Sequence, residues 1–203
     1  MRRRNLLKQL TLGGSIAAGA CLPYGLARML APEQKQLSGA VHLKPPGALV
    51  DDLAFIEACI GCGLCGEVCP PRCIAFYKRE AGNAVNTPYI DPEVKACILC
   101  GKCIDACPTE ALTRIELDEI DMGTAQIDRS ACYPWVDNGI CGACVVVCPL
   151  GEKAIGFDFA NIYRPVVKQG CVGCGLCVEV CPHPSLPIRI VIQSGSKIAK
   201  HAA

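Results

Sequence analysis

The chain has 203 residues, 20 of them basic and 19 acidic, with 18 cysteines, one Trp, five Tyr and four Phe. So even a charge balance leaves no basic surplus for a phosphate backbone, which excludes nucleic acid as a partner, and so few rings cannot furnish a conventional large core. Cysteine is the outlying residue type. At this density it signals a disulfide scaffold in an exported chain or metal and redox work, and the spacing has to decide.

The N-terminus reads Met1-Arg2-Arg3-Arg4-Asn5-Leu6-Leu7-Lys8 and continues into a Gly- and Ala-rich apolar stretch from Leu10 to about Leu30. The paired arginines resemble a twin-arginine export signal. Gly13, Gly14, Gly19, Pro23 and Gly25 soften the apolar stretch, which suits a leader over residues 1–28 better than a retained anchor. Cleavage after Ala27, or before a lipidated Cys21, are both open. Five basic residues and no acidic ones lie in that leader, so the remainder carries 15 basic residues against 19 acidic, a net charge of −4. Residues 29–50 are expected to be a linker.

Sixteen cysteines then fall into four quartets: Cys59, Cys62, Cys65 and Cys69; Cys97, Cys100, Cys103 and Cys107; Cys132, Cys141, Cys144 and Cys148; Cys171, Cys174, Cys177 and Cys181. Each is closed by Pro, at 70, 108, 149 and 182. Three share the C-x2-C-x2-C-x3-C-P spacing of bacterial ferredoxins, in which three thiols wrap one cubane and the fourth ligates another cluster. Disulfides do not require a thiol at every third residue. Structural zinc prefers two distant Cys-x2-Cys knuckles and has no use for a fourth Cys followed by Pro. The sixteen thiolates are therefore expected to bind four 4Fe-4S clusters. Assembly of such clusters belongs to the reducing cytosol, so export would have to be of the folded, loaded protein.

The quartets start at 59, 97, 132 and 171, a fourfold repeat. Tyr89-Ile90-Asp91, Gln126-Ile127-Asp128 and Arg164–Val167 before the cysteines, and Cys73-Ile74, Ala111-Leu112, Ala154-Ile155 and Pro187-Ile188 after them, read as short strands. The Pro after each fourth Cys is expected to start a short helix, and Gly61, Gly63, Gly101, Gly142, Gly173 and Gly175 to let the loops turn. The predicted fold is α+β: two ferredoxin-like modules, each with two clusters, over residues 51–190, with little regular secondary structure and a polar tail at 191–203. The modules could pair the quartets sequentially or in nested order, and spacing does not choose. The eight residues between Cys132 and Cys141, Trp135 among them, shield a cluster or dock a partner. Cys73 is spare and reads as a small buried hydrophobe. His42, His183 and His201 have no ligand constellation. With every cluster corner matched by Cys, there is no open iron for a substrate and no paired carboxylate or nucleophile motif, so a catalytic role is not expected.

Two further stretches carry a resemblance: Val41-His42-Leu43-Lys44-Pro45-Pro46-Gly47-Ala48, and Asp121-Met122-Gly123-Thr124-Ala125 before the third quartet. Together with the long Cys132 to Cys141 spacing, they make the chain resemble the NapG/MauM family of ferredoxin-type proteins. That resemblance implies a periplasmic protein, peripheral to the membrane, that works beside a polytopic quinol-oxidising ferredoxin-type partner of the NapH kind. Electrons would pass from quinol toward a periplasmic reductase or a cytochrome c, in a nitrate-reductase-like system or in methylamine utilisation. A maturation role for a periplasmic redox enzyme is the alternative. The resemblance also favours nested pairing: Cys59, Cys62 and Cys65 with Cys181; Cys171, Cys174 and Cys177 with Cys69; Cys97, Cys100 and Cys103 with Cys148; Cys132, Cys141 and Cys144 with Cys107.

Overall fold

The computed structural model describes residues 42–192. The expected leader, residues 29–41, the tail from 193 onward, Cys21 and His201 lie outside the described residues. Helix α1 (Asp52–Ala58) starts where the Asp51 carboxylate accepts a 2.8 Å hydrogen bond from the Ala54 amide, which satisfies one of the donors a helix start leaves open. Its single buried side chain is Phe55, which is also the one buried aromatic among the described residues.

Four further helices have four residues each: α2 (Leu64–Glu67), α3 (Lys102–Asp105), α4 (Ala143–Val146) and α5 (Leu176–Glu179). Each contains the third Cys of its quartet and stops before the fourth. The expectation that the helix follows the closing Pro is therefore corrected: only the third repeat has a helical turn there, at Gly151–Lys153. The reason lies on the other side of the cysteine. Gly63, Gly101 and Gly175 stand in the left-handed conformation (φ 79°, 72° and 88°) just ahead of α2, α3 and α5, and so turn the chain into a helical turn that begins beside the third Cys.

Six short strands form three antiparallel pairs. Strands β1 (Ile74–Phe76) and β2 (Pro88–Ile90) pair with Ile74 opposite Ile90. Strands β3 (Thr124–Ile127) and β6 (Ile188–Val191) pair with Ile127 opposite Ile188. Strands β4 (Ile155–Ala160) and β5 (Ile162–Val167) form a hairpin with Ile155 opposite Val167. The architecture repeats. Between the first and second quartets lies β1–β2, enclosed by a bridge from Ala48 to Leu112; between the third and fourth lies β4–β5, enclosed by β3–β6. The strands expected around the cysteines are all present except at Ala111-Leu112, where Leu112 contributes only that bridge.

Residues 42–50 are not a linker. Leu43 exchanges two 2.8 Å backbone hydrogen bonds with Ile90 and is fully buried, as are Pro45 and Pro46. Two prolines carry no amide donor, so this segment enters the interior without leaving donors unpaired. Lys44 fastens it further, donating to the Leu49 carbonyl at 2.8 Å and pairing with Asp52 at 2.8 Å.

The core is continuous through both halves, and thiols make up a large part of it. Cys65, Cys69, Cys73, Cys97, Cys103 and Cys174 are buried together with Leu43, Ile90, Val172, Val178 and Ile190. The halves meet where α5 packs on residues 92–97. The Cys97 amide donates to the Cys174 carbonyl at 3.1 Å, the Glu179 carboxylate accepts from the Ala96 amide at 2.8 Å and pairs with Lys95, and Gly175 lies against Pro92. No helix among the described residues is long and apolar enough to cross a membrane.

Gly173 tests how closely the repeats interlock. Its φ is +75°, and a Cβ there would stand 2.5 Å from the Gly123 carbonyl oxygen. The variant Gly173→Ala is expected to lose roughly 1–3 kcal/mol from backbone strain alone, read as a lower thermal midpoint of the loaded protein. An unchanged midpoint would show that this contact is not needed.

Candidate metal centres

The structure gathers the sixteen predicted cysteines into four sets. Cys59, Cys62 and Cys65 face one cavity with Cys107 (site 1). Cys97, Cys100 and Cys103 face another with Cys69 (site 2). Cys132, Cys141 and Cys144 meet Cys181 (site 3), and Cys171, Cys174 and Cys177 meet Cys148 (site 4). In every set three thiols come from one quartet and the fourth from its sequential neighbour. The nested pairing is therefore corrected at all four positions. The cause is the strand connection: β1–β2 folds the second quartet back onto the first, β4–β5 folds the fourth onto the third, and the closing Cys of each quartet crosses to its partner's cavity.

The four cavities are alike: with the solvent at their mouths included they measure ≈ 360, 290, 400 and 360 Å³ at sites 1, 2, 3 and 4. Each is lined by apolar side chains as well as its thiols. Among the described residues, no three of His, Cys, Asp or Glu are grouped so as to hold a single metal ion. Four thiols spread around a void fit a polynuclear group. The charge balance agrees. Burial, with repulsion from the neighbouring thiols of its own set, pushes Cys65 and Cys174 up to about 11 and Cys103 and Cys144 up to about 12, and it raises Cys177 as well. Whatever binds four thiolates here has to bring positive charge, as iron does.

Hydrogen bonds reach the sulfurs from residues that the spacing did not single out. The Thr109 hydroxyl lies 3.6 Å from Cys107 Sγ, and the Leu99 amide donates to Cys97 Sγ at 3.3 Å. Against the upward push of its burial, the Thr109 hydroxyl and the amides of Thr109, Leu112 and Ala111 hold Cys107 below the ordinary thiol range. Leu99 occupies the loop position that Gly61 and Gly173 hold in other repeats, with the same positive φ, 58°.

The two non-cysteine stretches prove to be braces. Pro46 lines site 2, and the Gly47 carbonyl accepts from the Thr113 amide at 2.8 Å. At site 4 the Met122 amide donates to the Val172 carbonyl at 3.0 Å, and the Ala125 amide donates to Cys171 Sγ at 3.4 Å. The insertion before Cys141 covers site 3. Tyr133 and Pro134 line its cavity, the Trp135 indole donates to the Pro165 carbonyl at 3.1 Å, and Arg129 stacks 4.1 Å from that ring. His42 stacks on Tyr89 at 4.0 Å and bonds the Tyr77 hydroxyl, while His183 bonds Ser185 and lines the cavity of site 3 beside Cys181.

The sets also adjoin one another. Cys65 of site 1 acts electrostatically on Cys103 of site 2, Cys97 of site 2 bonds and acts on Cys174 of site 4, and Cys144 of site 3 acts on Cys177 of site 4. The order along the molecule is site 1, site 2, site 4, site 3.

Sequence comparison bears on the same cysteines. A family described as a 4Fe-4S dicluster domain matches residues 58–111 and 96–152, and a second family of that description matches residues 125–182. The stretch 58–111 holds sites 1 and 2, and 125–182 holds sites 3 and 4. The overlapping match at 96–152 joins the second and third quartets, which the fold does not pair; it reflects the equivalence of the repeats. This is an iron-sulfur protein of the ferredoxin type. It is 32% identical to the ferredoxin-type protein NapG of Haemophilus influenzae over 98% of this chain and 75% of that protein, and 31% identical to NapG of Escherichia coli over 97% and 87%. It is also 32% identical to the methylamine utilization ferredoxin-type protein MauM of Methylorubrum extorquens over 91% of this chain and 88% of that one. The chain belongs to the NapG/MauM family of ferredoxin-type proteins.

Sequential pairing has a direct check in Cys107→Ser. Alkylation of the loaded variant followed by peptide mapping is expected to find Cys59, Cys62 and Cys65 newly reactive. New reactivity at Cys132, Cys141 and Cys144 would restore the nested order.

Proposed function

We propose that this protein is a periplasmic electron carrier with four 4Fe-4S clusters, one in each thiol set, which takes electrons from a quinol-oxidising membrane partner and delivers them toward a periplasmic reductase. The observation that carries the reading is the unbroken row of four like cavities, each faced by at least four cysteines and each next to another. When bound, such clusters accept and release single electrons, and that chemistry is the cofactor's own. The chain's part is to hold and insulate them. Cys59, Cys62, Cys65 and Cys107 would ligate the first; Cys97, Cys100, Cys103 and Cys69 the second; Cys132, Cys141, Cys144 and Cys181 the third; Cys171, Cys174, Cys177 and Cys148 the fourth. All four corners of each set are thiols, so no position is left for a substrate, and the protein is a carrier and not the catalyst of the system it serves.

The exposed Ile60 and Leu64 at site 1, and Ile140 and Val146 at site 3, leave apolar surface at both ends of the row, where partners would make contact. The twin arginines and the cysteine chemistry together support export of the loaded, folded chain. The family names support redox partners, and a NapH-like membrane protein on one side with a reductase or cytochrome c on the other is the pairing that a quinol-fed carrier requires.

Anaerobically purified protein is expected to hold about sixteen iron and about sixteen labile sulfide per chain, four of each per cluster, and to be found in the periplasmic fraction. Deleting it should abolish quinol-dependent electron delivery while leaving the metal content of the reductase unchanged. Zinc in place of iron, or intact electron flow beside a metal-poor reductase, would overturn the proposal.

A further inference from the structure

Cys73 is the one described cysteine outside the four thiol sets, yet it stands inside one of them. Its side chain is 5% exposed and lines the cavity of site 2 together with Cys69, Cys97, Cys100 and Cys103. Its sulfur is 3.5 Å from Cys69 Sγ, within hydrogen-bond reach. The cavities of sites 1, 3 and 4 are each faced by four cysteines only. Site 2 therefore differs from the rest by one thiol.

The position is held by the backbone. Cys73 directly precedes β1, whose first residue, Ile74, pairs with the fully buried Ile90. The Arg72 amide closes a turn on the Cys69 carbonyl at 3.0 Å, with Arg72 itself at φ 53°. That turn carries the chain from the fourth ligand position into the strand and leaves the fifth sulfur over the same void. Cys69 already supplies the fourth corner of site 2, so no corner is missing for Cys73 to fill. A cysteine that ligates no iron offers an S–H donor, and the ligand sulfur in reach is that of Cys69.

We propose that Cys73 is a hydrogen-bond donor to the Cys69 sulfur at site 2 and raises the reduction potential of the cluster held there above what its four cysteines alone would set. The inference rests on the reading of site 2 as a cluster centre. Hydrogen bonds to the sulfurs offset the extra negative charge of the reduced cluster and so favour reduction. Site 2 is also an interior member of the row, between sites 1 and 4, so its potential governs passage between the halves of the molecule.

The test is a redox titration of the loaded full chain followed by electron paramagnetic resonance. In Cys73→Ala one reduction step is expected to move to a more negative potential, with the other three unmoved and iron still at about sixteen per chain. The step that moves should be the one whose signal disappears in Cys100→Ala. Cys73→Ser, which keeps a donor, should bring it back toward the unsubstituted value, and Cys73→Val, similar in volume and without a donor, carries the same expectation as alanine. Four unmoved steps at full iron content would overturn the inference and leave Cys73 as packing. Loss of about four iron from Cys73→Ala, with full iron in Cys69→Ala, would make Cys73 the ligand and overturn it too. An unsubstituted chain without about sixteen iron would instead defeat the underlying reading of the sites.

Discussion

The structure depends on one constraint: the third and fourth cysteines of a quartet are a single helical turn apart and yet face different cavities. Cys65 belongs to site 1 and Cys69 to site 2, and the same division holds at Cys103 and Cys107, Cys144 and Cys148, and Cys177 and Cys181. A four-residue helix is too short to be stable on its own. Anchored at each end in a different thiol set, it becomes the wall between two centres. No quartet can complete a site alone, so the quartets are folded together in pairs, and the short strands serve mainly to bring the pairs into register.

That arrangement explains why so small an aromatic content suffices. A chain whose one buried aromatic is Phe55 would be marginal if hydrophobic area alone held it. Here the thiols are themselves core residues, and cluster binding adds to folding free energy. The remaining apolar burial is spent at seams. Leu43 and Pro45 seal the first half against Ile90, and Met122 and Ala125 seal the second against the loop of the fourth quartet. The contact between Cys97 and Cys174, braced by Glu179 on Ala96, then sets an interior site of one half beside an interior site of the other. Insulation and continuity come from the same contacts.

The family resemblance was carried in the sequence by stretches with no metal ligand in them, and the structure shows the reason for their makeup. Pro45-Pro46-Gly47 enters a crowded interior beside site 2, where prolines lack donors to satisfy and a Cβ at Gly47 would stand 2.2 Å from the Thr113 carbonyl. Residues Met122 to Ala125 do the equivalent at site 4. The insertion before Cys141, for which shielding and docking were both open, packs over site 3 through Tyr133 and Pro134, held by Trp135, and leaves Ile140 exposed.

Cysteine spacing by itself pointed to iron-sulfur chemistry, to the sixteen residues that the structure gathers into four sets, to the fourfold repeat and to most of the strands, because a cubane imposes local, periodic demands on a chain and strand alternation is local as well. It could not determine the pairing, since a thiol on the far side of a helical turn reads the same whichever partner receives it. Only the tertiary structure decided that the first quartet meets the second and the third meets the fourth, through hairpins whose effect on long-range contact no spacing encodes. It also decided that residues 42–50 belong to the body, that the helices precede the closing Pro, and that Cys73 lies against Cys69 and Cys97. Those three follow from packing against segments distant in the chain, which local pattern does not register.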